Sequence, residues 1–311
     1  MAIRARLKDL AAMEDKFVSG HGLCPGCGIP LMLRMVLRAT EHPLIAVNAT
    51  GCLEVCSSGF PYTAWKVPWM HNAFENAGAT AAGVEAAYKA LKRRGKLPGG
   101  DKKIKIVAFG GDGGTYDIGL QSLSGAMERG HDIVYICYDN QSYANTGGQR
   151  SGATPFGASA TTSPAGSKIP GKLQWRKNLT EIMAAHGIYA AQASVSHWKD
   201  LFQKAQKAIE IDGPAFINVL IPCPTEWKTK IEDGVQLAKI AVESKVWPLY
   251  EVENGKYKIN YYPKKEVDVT EWLKPQGRFS HMFKPGNEWM IEEYRKKVLE
   301  EWDRLVRLTK V

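Results

Sequence analysis

The stretch that decides the fold reads Ile104-Lys-Ile-Val-Ala-Phe-Gly-Gly-Asp-Gly-Gly114, an apolar run that ends in four glycines around one aspartate. The pattern predicts a strand that turns directly into the helix predicted over residues 117–129. A second apolar run, Ile133-Val-Tyr-Ile-Cys-Tyr138, follows without polar interruption. Continuous apolar strands are typical of parallel sheets that are covered on both faces. The stretch therefore predicts a β-α-β unit.

The same alternation of strands and helices extends outward in both directions. Further strands are predicted at 44–48, 189–195 and 215–221, and further helices at 29–40, 76–91, 176–186 and 196–210. Such alternation predicts an α/β fold with a doubly wound, mostly parallel sheet.

Two segments interrupt this rhythm. Residues 143–172 are rich in Gly, Ser, Thr and Pro, and a loop of that length inside a compact domain is usually functional or disordered. Residues 224–285 are expected to be irregular with short strand-like pieces, before a final amphipathic helix over 288–308. We expect one α/β domain over residues 1–224 and a C-terminal extension over 225–311 that contacts other subunits.

Composition narrows the class of protein. The 311 residues carry a formal net charge of +9, with 44% hydrophobic residues. No apolar run approaches the roughly 20 residues of a spanning helix, and the first residues lack a signal-peptide pattern. A soluble, cytoplasmic protein is expected. The Lys and Arg residues are scattered, which argues against nucleic acid, whereas a basic surface would suit an acidic protein partner.

Two polar positions follow neighbouring predicted strands. Asp112 lies in the glycine-rich turn, and Asn140 follows the strand that ends near Tyr138. Ligands bind open α/β sheets at the carboxyl ends of their strands. Glycines at a strand-to-helix turn suit a phosphate, and carboxylate and amide oxygens suit Mg²⁺. We therefore expect a diphosphate held through a divalent cation.

The six cysteines are Cys24, Cys27, Cys52, Cys56, Cys137 and Cys223. Clustering of the first four favours a metal over disulfides in a cytosolic protein. Zinc and an iron–sulfur cluster both take four such ligands, so the cysteine pattern leaves both open. A redox-active Cys24–Cys27 disulfide is a further alternative. Cys137 lies inside an apolar strand and is expected to be a buried core thiol.

These motifs together resemble a known family. Gly111-Asp112-Gly113 followed by Asn140 is similar to the motif of thiamine-diphosphate enzymes. His21-Gly-Leu-Cys-Pro-Gly-Cys-Gly28, Asn48-Ala-Thr-Gly-Cys52, the segment Tyr143–Pro155 and Ile221-Pro-Cys-Pro-Thr-Glu226 resemble the β subunit of archaeal four-subunit 2-oxoacid:ferredoxin oxidoreductases. The resemblance spans residues 14–230.

The resemblance implies the roles of individual residues. Mg²⁺ would be bound by Asp112, Asn140 and the carbonyl of Ser142. Thiamine diphosphate would also contact Gly111, Gly113, Gly114, Thr146 and Gly147, with Asn145 as the catalytic residue that hydrogen-bonds substrate oxygen. One 4Fe–4S cluster would be held by Cys24, Cys27, Cys52 and Cys223, with Cys56 as the rival of Cys52. His21 and His71 are left outside the catalytic set.

The implied reaction is oxidative decarboxylation of a 2-oxoacid to acyl-CoA and CO₂, with electrons passing through 4Fe–4S clusters to ferredoxin. The small residues of Gly157–Thr161 favour branched-chain 2-oxoacids slightly over pyruvate. An alpha subunit would supply the pyrimidine-binding domain and its activating Glu, and gamma and ferredoxin-like delta subunits would complete the assembly. The rival hypotheses are a non-redox thiamine-diphosphate decarboxylase or synthase subunit and a zinc-stabilised nucleic-acid-binding module.

Overall fold

An eight-stranded sheet forms the centre of the molecule. The computed structural model describes residues 6–59, 61–98, 102–166 and 168–310. The strands are β1 Leu44–Ala49, β2 Trp69–Asn72, β3 Lys105–Gly111, β4 Val134–Asp139, β5 Tyr189–Ser194, β6 Ala215–Leu220, β7 Tyr250–Glu253 and β8 Lys256–Ile259. Their order across the sheet is β2-β1-β3-β4-β6-β5-β7-β8. The first six are mutually parallel, and β7 and β8 pair antiparallel.

The α-helices cover both faces of this sheet. They are α1 Leu7–Ala12, α2 Ile29–Leu37, α3 Cys52–Val55, α4 Ala77–Arg93, α5 Leu120–Glu128, α6 Leu179–Ala184, α7 Trp198–Glu210, α8 Pro224–Trp227, α9 Gly234–Glu243, α10 Val269–Leu273 and α11 Glu288–Leu308. A π-helical turn, Gly113–Ile118, connects β3 to α5.

The alternation of side chains along each strand explains why helices pack on both faces of the sheet. In β3, Val107 and Phe109 face the core beneath α2 and α7. Ile106 and Ala108 face the opposite core, beneath α4, α5 and α6. Successive side chains of a strand point to opposite faces, so an uninterrupted apolar strand needs cover on both sides. The predicted doubly wound α/β fold is confirmed.

The C-terminal part contains more regular structure than the sequence led us to expect. The short strand-like pieces expected in 224–285 are present as β7 and β8, which extend the main sheet, but the expectation of an otherwise irregular segment was wrong, since α9 and α10 lie there. Trp227, Trp247 and Trp272 are fully buried in a core shared with α11. Burial of three indoles explains why this segment packs on the sheet. Its predicted role in subunit contacts stays a prediction.

The described part of the predicted loop 143–172 is ordered and packs against the sheet. Residues 151–158 are all buried, and Ser167 lies outside the described residues. The two helices predicted at 29–40 and 117–129 are shorter, because the first ends at Leu37 and the second begins as a π-helical turn. None of the helices in the described ranges is long and apolar enough to span a bilayer.

Two glycines of α4 provide a matched test of helix packing. A Cβ on Gly78 would lie 3.0 Å from the backbone Cα and N of Leu123 on α5, whereas a Cβ on Gly83 would meet no atom within 4 Å. We predict that Gly83→Ala raises the free energy of unfolding by about 0.5–1 kcal/mol through helix propensity. Gly78→Ala should lower it by about 1–3 kcal/mol, because the helices must move apart. Denaturant unfolding of both variants checks this, and equal stabilisation by both would contradict the packing.

Candidate active site and cysteine cluster

The polar residues predicted after β3 and β4 meet at the carboxyl end of the sheet. Gly111 pairs with Tyr138 in the β3–β4 register, so the residues that follow are neighbours. The backbone N–H of Asn140 donates to Asp112 Oδ1 at 3.3 Å. The two strand ends are thereby joined directly.

A cavity of about 230 Å³ opens beside this junction, and we call it the central cavity. Its lining residues come from the ends of β1, β3 and β4 and from the following loops: Thr50, Gly51, Cys52, Phe74, Gly111, Asp112, Gly113, Gly114, Tyr138, Asn140, Ser142, Tyr143, Ala144, Asn145 and Thr146. All predicted cofactor-contacting residues except Gly147 are in this set. Gly147 is exposed one residue further along the loop.

Asp112 is buried among partners that orient it. Its Oδ2 accepts a hydrogen bond from Ser151 Oγ at 2.5 Å, and the residue is 1% exposed. Burial raises the pKa of Asp112 well above its ordinary value, and the nearby Asp139 carboxyl adds to that rise. Burial raises the pKa of Asp139 as well, although Arg176 opposes the rise. Within the described ranges, no Lys, Arg or His side chain lines the central cavity beside Asp112, so a cation bound there would offset the burial of its carboxylate.

The loop that follows β4, residues 140–142, is called the Asn140 loop, and hydrogen bonds from several segments hold it in place. Asn140 Oδ1 accepts from the Ser142 backbone N–H at 3.2 Å, and the Asn140 carbonyl accepts from Trp227 Nε1 at 2.9 Å. Gln141 between them has a φ of 68°, which is uncommon for a residue with a side chain. Its side-chain oxygen accepts from Arg278 Nη2 at 2.5 Å. The tight turn leaves Asn140 and Ser142 on one side of the loop and Gln141 on the other.

Glycines allow aromatic rings to close over the cavity. A Cβ on Gly113 would lie 2.5 Å from the Tyr143 ring, and one on Gly51 would lie 2.9 Å from Tyr138 Oη. Tyr143 Oη donates to Asp117 Oδ2 at 3.0 Å, which fixes that ring. Tyr138 Oη is buried and has no partner among the described residues. The cavity thus has narrow aromatic walls with one unsatisfied hydroxyl.

Asn145 and Thr146 lie at the exposed rim of the same cavity. The Thr146 hydroxyl is held within the loop by Gln149. By contrast, Gly157 and Ala158 do not line the cavity. A Cβ on Gly157 would lie 2.6 Å from Met282 Sδ, and Ala158 is buried in the C-terminal core. None of residues 157–161 lines the central cavity, so the structure gives no support to the argument that these small residues leave room for a larger acyl chain.

Five cysteines approach one another at the edge of this site. Cys24 and Cys27 flank a turn closed by the Cys27 N–H to the Cys24 carbonyl at 3.1 Å. The Gly28 N–H donates to the Pro222 carbonyl at 3.1 Å, which joins that turn to the segment holding Cys223. The Gly22 N–H donates to the Cys56 carbonyl at 2.7 Å. Cys137 is fully buried in β4, as predicted.

The electrostatics of the thiols reflect this proximity. Burial raises the pKa of Cys27 to about 12, with contributions from Cys223, Cys24 and Cys56. Burial raises the pKa of Cys52 as well, and Cys223 and Cys27 contribute. The pKa of Cys223 rises to about 11, mainly through burial. In the described part of the chain, no three His, Cys, Asp or Glu side chains stand close enough to hold a single metal ion.

Cys52 and Cys56 occupy different surroundings. Cys52 begins α3 directly after Gly51 and lines the central cavity. Cys56 follows that helix, its Cβ lies 3.9 Å from the Cβ position of Gly22, and it is not among the residues that line the cavity. Burial raises its pKa, and Cys24 and Glu54 contribute. Cys52 is therefore the cysteine that links the cavity and the cysteine cluster.

The two histidines have structural partners. His21 stacks on Phe17 with ring centroids 5.3 Å apart, and His71 Nδ1 lies 3.2 Å from Glu54 Oε1. Neither lines the central cavity. Sequence reasoning missed Ser151 and Trp227, which hold Asp112 and Asn140. These two residues lie far along the chain, and no local pattern marks them.

Comparisons with known proteins agree with this site. Residues 49–219 match the family "Thiamine pyrophosphate enzyme, C-terminal TPP binding domain". Pyruvate synthase subunit PorB of Thermotoga maritima is 50% identical, over 98% of this chain and 97% of that protein. PorB of Methanocaldococcus jannaschii is 55% identical, over 86% and 90%.

One further relative is named for another substrate, and one solved structure shares the fold. Ketoisovalerate oxidoreductase subunit VorB of Pyrococcus abyssi is 46% identical, over 96% of this chain and 94% of that protein. A solved 2-oxoglutarate:ferredoxin oxidoreductase from Magnetococcus marinus shares the fold, with a TM-score of 0.54 and 24% identity over 76% of this chain and 83% of its own. The chain thus belongs to the thiamine-pyrophosphate-binding subunits of the 2-oxoacid:ferredoxin oxidoreductases.

Proposed function

We propose that this subunit binds thiamine diphosphate through Mg²⁺ in the central cavity and holds one 4Fe–4S cluster beside it. One observation carries the proposal. Asp112 and Asn140 meet at the ends of two adjacent strands, where the Asn140 backbone N–H donates to Asp112 Oδ1 at 3.3 Å. The wall of the cavity at this place also contains Cys52. A cofactor bound there would lie next to the cysteine cluster, and electron transfer would need to cover a short distance.

The donors fit a divalent cation. Asp112, Asn140 and the Ser142 carbonyl offer oxygen atoms, the ligands that Mg²⁺ takes. A cation would offset the burial that raises the pKa of Asp112 and would keep its carboxylate ionised. Ser151 would hold the second carboxylate oxygen in place by its 2.5 Å hydrogen bond. We assign these three residues to Mg²⁺ on this chemistry.

The thiols fit an iron–sulfur cluster better than a single ion. Cys24, Cys27, Cys52 and Cys223 influence one another electrostatically but do not converge on one ion-sized point. A 4Fe–4S cluster is held by four cysteine thiolates, one on each iron, and so accepts wider spacing. Because burial raises the pKa of Cys27, Cys52 and Cys223, cluster insertion would release protons from these three thiols.

The remaining residues bind and shield the reacting groups. Bound thiamine diphosphate supplies the electron sink for decarboxylation of a 2-oxoacid. Gly111, Gly113 and Gly114 would let the diphosphate approach the backbone. Phe74 and Tyr143 would exclude water from that end of the cavity, and Asn145 at the rim would donate a hydrogen bond to substrate oxygen.

The cavity requires partner subunits. Thiamine enzymes need a Glu against the aminopyrimidine ring, and Asp112 is the only carboxylate among the described lining residues. An alpha subunit would provide that Glu and the pyrimidine-binding domain, and gamma and delta subunits would supply the further clusters that pass electrons to ferredoxin. Within 225–311, Tyr262 and Trp289 are each more than half exposed, which suits contacts with these chains.

The substrate is proposed as a small aliphatic 2-oxoacid, with coenzyme A accepting the acyl group. Relatives named for pyruvate and for ketoisovalerate have similar identities to this chain. We propose a cytoplasmic location, where reduced thiols and ferredoxin coexist.

Replacement of Asp112 by Asn tests the cation site. The amide keeps the shape of the side chain but removes its charge, so we predict at least about a tenfold loss of Mg²⁺-dependent thiamine diphosphate affinity. Calorimetric titration of the purified complex measures this affinity. Asp303→Asn, on the exposed face of α11, is the control and should bind as the parent does. Unchanged affinity in Asp112→Asn would contradict the assignment.

The pair Cys52→Ser and Cys56→Ser tests the cluster ligands. Both cysteines belong to the same short helical segment, so the substitutions are chemically matched. We predict that Cys52→Ser loses the iron assigned to this subunit, whereas Cys56→Ser retains it. Iron and zinc analysis of anaerobically purified complexes gives the answer. Loss of iron in Cys56→Ser alone would reverse the ligand assignment, and stoichiometric zinc without iron would overturn the cluster.

A further inference from the structure

A second cavity, of about 270 Å³, lies behind the Asn140 loop. We call it the rear cavity. It opens to the surface and is lined mainly by α11, by the segment before β7 and by the loop before α6, and Gln141 contributes to its wall. Among the described residues, none lines both the rear and the central cavity. The proposed reaction therefore leaves this space without a role.

Cationic side chains outnumber carboxylates in the lining of the rear cavity. Its lining contains four cationic side chains and two carboxylates. Glu181 pairs with Arg304 at 2.5 Å, and Glu301 pairs with Lys297 at 2.8 Å. The remaining cations are Arg176 and Lys245. Neither forms a direct ion pair with a carboxylate of the described ranges, although Tyr116 Oη connects the Arg176 guanidinium to the buried Asp139 carboxyl.

Arg176 is fixed in place with donors to spare. Its guanidinium lies 4.2 Å from the centroid of the Trp247 ring, and Nη2 donates to Tyr116 Oη at 3.0 Å. That is its one side-chain hydrogen bond among the described residues, whereas a guanidinium has five N–H donors. A rigid guanidinium with unused donors is well suited to a planar carboxylate.

The other walls are aromatic. Phe156 stacks on Trp175 with centroids 4.6 Å apart, and Trp175 meets Tyr294 edge-on at 5.6 Å. Lys245 Nζ lies 5.6 Å from the Trp302 ring centroid. These surfaces would favour a flat or branched apolar body, while the two cations would favour a negative charge.

We propose that the rear cavity binds a small organic carboxylate whose apolar body packs on the aromatic walls and whose carboxylate meets Arg176 and Lys245. The ligand lies on the opposite side of the Asn140 loop from the proposed cofactor. None of the described residues that line the rear cavity is a proposed cation or cluster ligand.

Benzoate is a suitable probe, with benzamide as the uncharged analogue of the same shape. Calorimetric titration of the intact oxidoreductase complex should show saturable benzoate binding and at least about tenfold weaker binding of benzamide. Equal affinity for the two, or no benzoate binding, would overturn the proposal. The latter result includes the case in which a partner chain fills the cavity.

Lys245→Asn removes one cation without opposing the local backbone. Lys245 has a φ of 64°, a conformation that Asn tolerates. We expect benzoate affinity to fall at least about tenfold in this variant and in Arg176→Lys, which loses the planar donor fork. Lys239→Asn, exposed on α9, is the matched control and should bind as the parent does. Parental affinity in Lys245→Asn, with unchanged 2-oxoacid oxidation in both Asn variants, would overturn the site.

Discussion

Two carboxyl groups buried at the ends of neighbouring strands are the constraint on which the rest of the site depends. Asp112 and Asp139 are each at most 1% exposed, and burial opposes ionisation of both. Tyr116 Oη donates to Asp139 at 2.6 Å, and Ser151 donates to Asp112. Hydrogen bonds orient both groups, and Arg176 opposes the rise in the pKa of Asp139, whereas no cationic side chain among the described residues lines the cavity beside Asp112. The surrounding loops, including the strained turn at Gln141, are arranged around a place where a cation is favoured.

The centre of the fold and most of the candidate site could be predicted from the sequence because both depend on local patterns. Two parallel apolar strands that end in Gly-Asp-Gly and in Asp-Asn place these polar residues at the same edge of the sheet, independently of the rest of the chain. The contacts that complete the site come from distant segments. Ser151 reaches Asp112 across 39 positions, and Trp227 reaches Asn140 across 87. Only tertiary packing determines such partners.

The C-terminal part was the least predictable, although one signal was present. Asn254-Gly255 lies between β7 and β8, and both residues have positive φ, as tight hairpin turns require. Helix α9 buries Leu237, Ala238, Ala241 and Val242 in the same core as Trp247, so its burial depends on that distant indole. The short strand β2 was missed because Met70 and His71 are exposed there, so it lacks an apolar run.

The central claim is that one chain holds the proposed cation-bound cofactor next to an iron–sulfur cluster, with Cys52 between them. Exchange of Mg²⁺ for paramagnetic Mn²⁺ in the intact complex tests it most directly, by electron paramagnetic resonance before and after reduction with dithionite. The account predicts that reduction of the cluster speeds the relaxation of Mn²⁺, and that Cys52→Ser removes this effect. Unchanged Mn²⁺ relaxation beside a fully reduced cluster would contradict it.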